Sequence, residues 1–383
     1  MKVQNDIFRL KDEVTKHRRW LHQHPEIGFE VEKTRDYILS VLRELDFDKI
    51  EVLANTGVKA VIRGANSKGV YAFRADMDAL EVEEQNAIDF ASRYKGRMHA
   101  CGHDGHMAIL LGLAKWLHLN KDNLKHDVVL IFQPAEESEG GAYPMIQEGV
   151  LADPKVDVIF GLHLFPDIPQ GKLGLRSGPV MAQTCEFDIM LRGKSAHGAM
   201  PHRGVDALLA ACYLVTNLQS IITRKVNPLE NALITIGKME AGERRNVLAE
   251  NVKMEGIIRT FNDEVYNTIK SNILSLLQGM EKAYEIEGKY EEKTYYPVVN
   301  NDLEWTGKLK NMLSDEILVE PSQLMIAEDF AYYQKNVPGV YFLLGTGNPS
   351  KGYIFPLHSN CFNFDEEVLL YGIQLYVDIL NNL

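Results

Sequence analysis

Cysteine is scarce in this sequence: Cys101, Cys185, Cys212 and Cys361 are the only four in 383 residues, and no Cys-x-x-Cys pair occurs. So few, so widely spread, excludes a disulfide scaffold and a structural zinc site built on paired thiolates, and it fits a reducing cytoplasm. Positive charge is in deficit, with 41 Lys and Arg against 53 Asp and Glu, a net charge of −12. That balance argues against nucleic acid as a partner, because phosphate contacts need clustered cations. Long apolar runs are missing too: the most apolar stretch, Met107 to Ala114, falls far below the roughly 20 residues of a membrane helix. Met1 to Glu13 mix charged and apolar residues and hold no signal-peptide core. No internal repeat or low-complexity tract is visible. The expectation is a soluble cytoplasmic protein with no membrane partner. Its length suits two domains, or one with an insertion.

What is present is periodic. Residues 4–24 and 32–45 read as helices; in the second, Tyr37, Ile38, Val41, Leu42 and Leu45 recur at helical spacing. Short β-rich runs follow at Val58–Arg63 and Val70–Arg74, then a helix at about 106–119 and apolar strands at Val128–Phe132 and Val156–Phe160. Strands alternating with helices predict an α/β layered domain. Near residue 180 the pattern changes: Cys185, Phe187, Ile189 and Leu191 alternate with Glu186, Asp188 and Met190. Helix 205–223, strands 231–240 and 249–260, helix 263–286 and strand 288–296 complete a split βαβ, ferredoxin-like order. The α/β character then returns with helix 301–315, strand Val340–Leu344 and helix 365–382. Residues 180–296 are therefore read as a domain inserted into a catalytic domain made of 1–179 and 297–383.

Five segments at predicted strand ends carry chemistry. The richest is Met98-His99-Ala100-Cys101-Gly102-His103-Asp104-Gly105-His106, a thiol and imidazoles in a Gly-containing loop, suited to a borderline-soft metal such as zinc. Any single histidine there could merely pack or cap the helix; the cluster as a whole points to a metal. The second is Gln133-Pro134-Ala135-Glu136-Glu137. Adjacent carboxylates on an extended chain point opposite ways, so one can ligate a metal while the other moves a proton; alternatively, they belong to a solvated acidic loop. Gly161-Leu162-His163 and Pro356-Leu357-His358 each offer a histidine, which in apolar company is often a core residue. Arg74-Ala75-Asp76-Met77-Asp78 places two alternate acids at a strand end, suited to orienting a metal-bound histidine from behind. Active sites of open α/β sheets lie at such strand ends.

With these strings and Gly193-Lys194-Ser195-Ala196-His197, the sequence resembles the co-catalytic metallopeptidase family of aminoacylases, glutamate carboxypeptidases and hippurate hydrolases, in its amidohydrolase branch. The likeness runs from His17-Arg18-Arg19-Trp20-Leu21-His22-Gln23-His24-Pro25-Glu26 to His358. It implies a phosphorylase/hydrolase-like catalytic domain, a mixed sheet with helices on both faces, and an inserted lid and dimerisation domain. It implies two divalent metals, Zn, Mn, Co or Ni, held by Cys101, His103, Glu137, His163 and His358. Glu136 is implied as general base and Asp78 as the buried acid that orients the site. His197 is implied to reach a neighbouring subunit's site and hold the substrate oxyanion, while Asn246 and Arg259 grip a carboxylate. The peptidase branch has a His-x-Asp pair and a bridging Asp; here Asp76-Met77-Asp78 and the Cys-Gly-His segment stand in those places.

The implied activity is hydrolysis of an N-acyl amino acid by a homodimer. Asn217–Arg224 and Ile234–Lys238 resemble the deacetylases of N-acetyl-diaminopimelate in lysine biosynthesis; a general aminoacylase or hippurate-type hydrolase is the alternative. Two readings from other classes are a metal-independent thiol hydrolase using Cys101 and a non-catalytic binding protein on a hydrolase fold.

Overall fold

A computed structural model describes residues 2–65 and 67–383. Among these the first strands are β1 (Lys49–Leu53), β2 (Gly57–Ile62), β3 (Val70–Asp76), β4 (Asp127–Gln133), β5 (Val158–Pro169), β6 (Leu173–Gly174) and β7 (Gly178–Met181). They are followed by β8 (Gln183–Arg192), β9 (Ala232–Ala241), β10 (Asn251–Thr260), β11 (Glu287–Tyr296), β12 (Val299–Asn301), β13 (Leu318–Val319) and β14 (Gly339–Gly347). The helices are α1 (Asn5–Phe8), α2 (Lys11–Gln23), α3 (Glu32–Arg43), α4 (His103–Leu119), α5 (Ala142–Gln147), α6 (Ala207–Arg224), α7 (Asp263–Tyr284), α8 (Leu303–Met312), α9 (Ala331–Gln334) and α10 (Glu367–Asn382).

The chain forms two compact units. The first takes in the chain up to Val180, Asn300–Ser322 and Asp329–Leu383; the second takes in Met181–Val299 and Gln323–Glu328.

In the first unit eight strands form one mixed sheet in the order β1-β2-β4-β3-β5-β14-β6-β13, and β7 pairs separately with β12. β3 runs parallel to β4 and β5, and β5 parallel to β14, while β2 is antiparallel to both its neighbours. Every residue of β2 and β4 is buried, so both faces of these strands are covered. That explains why β4 is apolar from Val128 to Phe132 and why β2 is apolar but for Lys59, in place of an alternation. β3 pairs with β5 only as far as Arg74 opposite Gly161. β5 continues for eight residues past that point, to Pro169, still paired with β14.

The second unit is a four-stranded antiparallel sheet, order β11-β8-β10-β9, with α6 and α7. This is the split βαβ order expected from the sequence. Cys185, Phe187, Ile189 and Leu191 of β8 share a buried cluster with Leu214 and Leu218 of α6 and Ile269 and Ile273 of α7. Burying each such leucine, isoleucine or phenylalanine contributes roughly 1.5–3 kcal/mol. Asp206 caps α6 by accepting from the Leu209 N–H, and Asn262 caps α7 by accepting from that of Glu264.

Several expected elements shift. The predicted helix 4–24 is broken at Arg9–Leu10 into α1 and α2. The helix expected from about 106 starts at His103, and the strand expected to end at Phe160 runs on to Pro169. No helix among the described residues is long and apolar enough to cross a membrane.

Candidate metal centre and active site

The first unit gathers the candidate ligands from four chain segments. Gly102 adopts a left-handed φ of 87°, which glycine takes without steric cost, and so turns the chain sharply between Cys101 and the start of α4. That places Cys101 ahead of the helix and His103 and His106 in its first turn. Glu136 and Glu137 follow β4 in a turn entered through Ala135, itself left-handed at φ 59°. The expectation of an extended acidic pair is thereby corrected: the turn brings both carboxylates to the same cluster. His163 lies inside β5, and His358 sits at φ 65° on a loop pinned by its N–H donating to the Ala100 carbonyl at 2.9 Å. A left-handed non-glycine residue is costly, and such strain concentrates at functional sites.

Potential ligand atoms of Cys101, His103 and His163 lie within 4.8 Å of one another, as do those of Cys101, Glu137 and His358, and those of His103, Glu136 and Glu137. Cys101 Sγ is 3.4 Å from His163 Nε2, and His358 Nε2 is 3.3 Å from Glu137 Oε1.

Two of these histidines are fixed by the chain itself. His103 Nδ1 donates to the Asp78 carbonyl at 2.8 Å, and His163 Nδ1 donates to the Leu164 carbonyl at 2.8 Å. A carbonyl only accepts, so both rings carry a proton on Nδ1 and turn Nε2 into the cluster, where a metal would take the place of any second proton. This is the arrangement a metal-binding histidine takes. His103 Nε2 and Glu137 Oε1 are buried and have no hydrogen-bond partner. Asp78, 1% exposed, accepts from the peptide N–H groups of Glu136 and Glu137 at 3.0 Å each. Its side chain thus holds the glutamate turn, while its backbone orients His103.

The local field favours a positive charge. Burial works against the His103 imidazolium, yet Asp76, Asp78 and Glu137 raise its pKa to about 10. Burial opposes the Glu137 carboxylate, but the neighbouring His358 and His103 draw its pKa down to about 2. Burial pushes His163 down to about 3, which keeps its lone pair free. Burial and the charges of Glu137 and Glu136 push the Cys101 thiol well up. Without a cation this cysteine is a poor nucleophile, which counts against the thiol-hydrolase reading. A thiol, imidazole Nε2 atoms aimed into the cluster and a carboxylate oxygen that makes no hydrogen bond fit divalent ions of the zinc kind.

Asp76, His103 and His106 also lie close enough to hold an ion. Hydrogen bonding argues otherwise for His106: its Nε2 accepts from the Leu164 N–H at 2.9 Å and its Nδ1 pairs with Asp76 Oδ1 at 2.6 Å. Both nitrogens are occupied.

His197, Asn246 and Arg259 belong to the second unit. His197 bridges to Val247, and the Gly198 N–H donates to the Asn246 carbonyl at 2.8 Å, so the His197 and Asn246 segments adjoin. His197 is exposed, and its Nδ1 accepts from the Ala199 N–H at 3.1 Å. The neutral ring therefore presents Nε2–H as a donor. Arg259 stands on β10 opposite Thr184, half-buried, with Nη1 buried and unpartnered.

Sequence reasoning missed the groups behind the cluster. Arg18 and His22 of α2 both reach Asp104, at 3.2 and 2.9 Å, and His22 Nε2 also meets Glu84 at 3.0 Å. Arg74 contacts Asp76 at 2.6 Å, Asp329 at 2.9 Å and Gln133 at 2.9 Å. Arginines inside apolar runs, as in Phe73-Arg74-Ala75, were the available signal, since a buried arginine requires paired acceptors.

A family model described as Peptidase family M20/M25/M40 matches residues 72–382. The chain is 38% identical over 366 residues to an N-acetyldiaminopimelate deacetylase of Brevibacillus brevis, covering 94% of this chain and 95% of the relative. It is 37% identical over 380 residues to an N-acetyl-L-cysteine deacetylase of Bacillus subtilis, covering 96% and 90%. Among solved structures, a dinuclear metal-binding M20 peptidase of Bacillus subtilis superposes with a TM-score of 0.84 at 32% identity, covering 98% of this chain and 100% of that one. With these likenesses spanning nearly its whole length, the chain belongs to peptidase family M20, the metal-dependent amide hydrolases its motifs resemble.

Proposed function

We propose that this chain hydrolyses the amide of an N-acyl amino acid, and that its substrate is N-acetyl-diaminopimelate. The observation that carries the reading is the convergence of Cys101, His103, Glu137, His163 and His358 beside the Glu136 carboxylate, with imidazole Nε2 atoms aimed into the cluster. The substrate is supported by the relative at 38% identity, which bears that name.

Cys101, His103, Glu137, His163 and His358 would hold two divalent metals, of which zinc best suits the thiol. Bound there, the metals would polarise the amide carbonyl and lower the pKa of water from 15.7 towards ~7. Glu136 takes the proton of the attacking water as a new C–O bond forms at the carbonyl carbon. It then delivers that proton to the amide nitrogen as the C–N bond breaks, leaving acetate and a free amine. Asp78 keeps Glu136 aimed through the two peptide hydrogen bonds. His197, supplied by a neighbouring subunit, donates its Nε2–H to the developing oxyanion. Arg259 and Asn246 grip the substrate carboxylate, Arg259 through its unpartnered Nη1.

The second unit acts in this reading as lid and dimerisation module. Support comes from its edge: β9 is an outer strand, and α6, packed beside it, exposes Leu208, Leu209 and Tyr213.

A second substrate has a specific observation behind it, the N-acetyl-L-cysteine deacetylase at 37% identity. Steady-state kcat/KM for N-acetyl-diaminopimelate, N-acetylcysteine and hippurate separates them. The proposal expects the first to exceed the others by at least about tenfold, roughly the discrimination of one well-made polar contact (1.4 kcal/mol). A preference for either of the others defeats it.

A further inference from the structure

A buried polar chain in the first unit leads towards the cluster and is not explained by ligation. Asp329 and Gln133 hold Arg74, and Arg74 holds Asp76 at 2.6 Å. Asp76 Oδ1 takes the Nδ1 proton of His106 at 2.6 Å. His106 Nε2 then accepts the Leu164 N–H at 2.9 Å. These four charged or polar side chains, Arg74, Asp76, His106 and Asp329, are each no more than 2% exposed.

The position of Leu164 gives the chain its meaning. Pairing between β3 and β5 stops at Gly161, so on that side the backbone of β5 beyond it lacks a strand partner from β3. His106 fills the gap at Leu164. The same residue's carbonyl accepts the Nδ1 proton of His163. One residue, Leu164, is therefore anchored at its N–H by His106 and at its C=O by His163. The two rings also touch directly, edge to face, with centroids 4.6 Å apart. A tilt of His106 would move His163 Nε2, which sits 3.4 Å from Cys101 Sγ.

We infer that His106 is a positioning residue for the thiol–imidazole half of the metal centre: it replaces the missing β3 partner of β5 and sets the direction of His163 Nε2. The inference rests on the proposal that Cys101 and His163 ligate a metal. The Leu164 N–H can only donate, so His106 Nε2 is its acceptor and the ring turns Nδ1 to Asp76. The acting contact is the one to Leu164, so its loss and that of the Asp76 contact have unequal effects.

Two substitutions separate them. His106→Gln can still place an oxygen near the Nε2 position, whereas His106→Asn reaches only as far as Asp76. The whole chain is stripped of metal and titrated with Co²⁺ against a competing chelator, following both affinity and the thiolate-to-cobalt charge-transfer band. Wild type should bind and show the band. His106→Asn should bind about 10- to 100-fold more weakly, the usual effect of removing a group that orients a metal ligand, with the band weakened or shifted. His106→Gln should recover most of both. His106→Leu, which keeps the volume but neither contact, should match Asn. A wild-type protein that binds no Co²⁺ through a thiolate overturns the metal-centre reading and this inference with it. A wild-type band accompanied by Asn and Leu variants of unchanged affinity and spectrum overturns the inference alone. So does a Gln variant as impaired as Asn.

Discussion

Asp78 is where stability and the proposed catalytic geometry meet in one side chain, and Asp78→Ala tests both. Its carboxylate accepts two peptide N–H groups, from Glu136 and Glu137, at 3.0 Å each. Hydrogen bonds to a charged acceptor contribute about 1.5–3 kcal/mol each, so losing both costs about 3–6 kcal/mol. Burial acts the other way: it raises the pKa of Asp78, which means the buried charge itself opposes folding. Removing that charge recovers part of the loss, so the expected cost lies near the lower end, about 3 kcal/mol. Asp78→Asn keeps one acceptor oxygen and should cost about half as much. His103 keeps its backbone hydrogen bond in both variants, because that acceptor is the Asp78 main-chain carbonyl, and loses only the Asp78 charge 3.7 Å from its Nδ1. Urea unfolding of the metal-free chain at pH 7 reads the order wild type, Asn, Ala in falling midpoint. An Ala variant within about 0.5 kcal/mol of wild type, or an Asn variant as unstable as Ala, refutes the role of this carboxylate as the clamp on the glutamate turn.

Further outcomes follow from the same geometry. Burial works against a charged His22, but Asp104 and Glu84 outweigh it and raise the pKa from 6.5 to about 9. A raised pKa stabilises the fold fully below 6.5 and progressively less as pH climbs through 9, by about 3 kcal/mol at most. Unfolding midpoints should therefore fall between pH 6 and 9.5 and should fall less in His22→Asn; equal slopes would contradict this. In the metal-free protein the raised pKa of Cys101 should make it slower to react with iodoacetamide than the exposed Cys212. Faster labelling of Cys101, mapped by mass spectrometry, would revive the nucleophilic reading. If His197 acts across subunits, mixing inactive His197→Ala and Glu136→Gln chains should restore up to about a quarter of wild-type activity per site, the statistical share of intact sites in a randomly mixed dimer. No recovery from subunits shown to exchange would place His197 within its own chain's site.

Much of the fold was legible because the periodic signals were unmixed. The alternation from Cys185 to Leu191 marks a sheet with one buried face, and β8 has that face. Elements without periodicity were harder to read. Gly161 and Pro166 look like breaks after Phe160, yet Gly161 and the residues after it stay in the ladder against β14. Gly102 and Gly105 resemble loop residues and hide the start of α4; a left-handed glycine directly before a helix accounts for the first of them. The candidate ligands were recognisable by type, and the structure brings them together. The layer behind the ligands was legible only in part: Asp76 and Asp78 could be read as orienting acids, but not the side chains that hold them. Asp76 resembles a site acid, but it faces Arg74 and His106, and the partners of Arg74 lie as far away in sequence as Asp329. Contacts of that separation leave no local pattern.

The central claim is a metal-dependent hydrolase with Glu136 as its proton carrier. The most direct measurement is reconstitution of metal-free wild type and Glu136→Gln with Zn²⁺, recording bound metal and deacetylation of N-acetyl-diaminopimelate in the same samples. The account predicts that both proteins take up two ions per chain. Wild-type activity should rise with that uptake, while Glu136→Gln stays about 10²–10⁴-fold slower despite full occupancy. Full turnover by the metal-free wild type, or by the loaded Glu136→Gln protein, would contradict it.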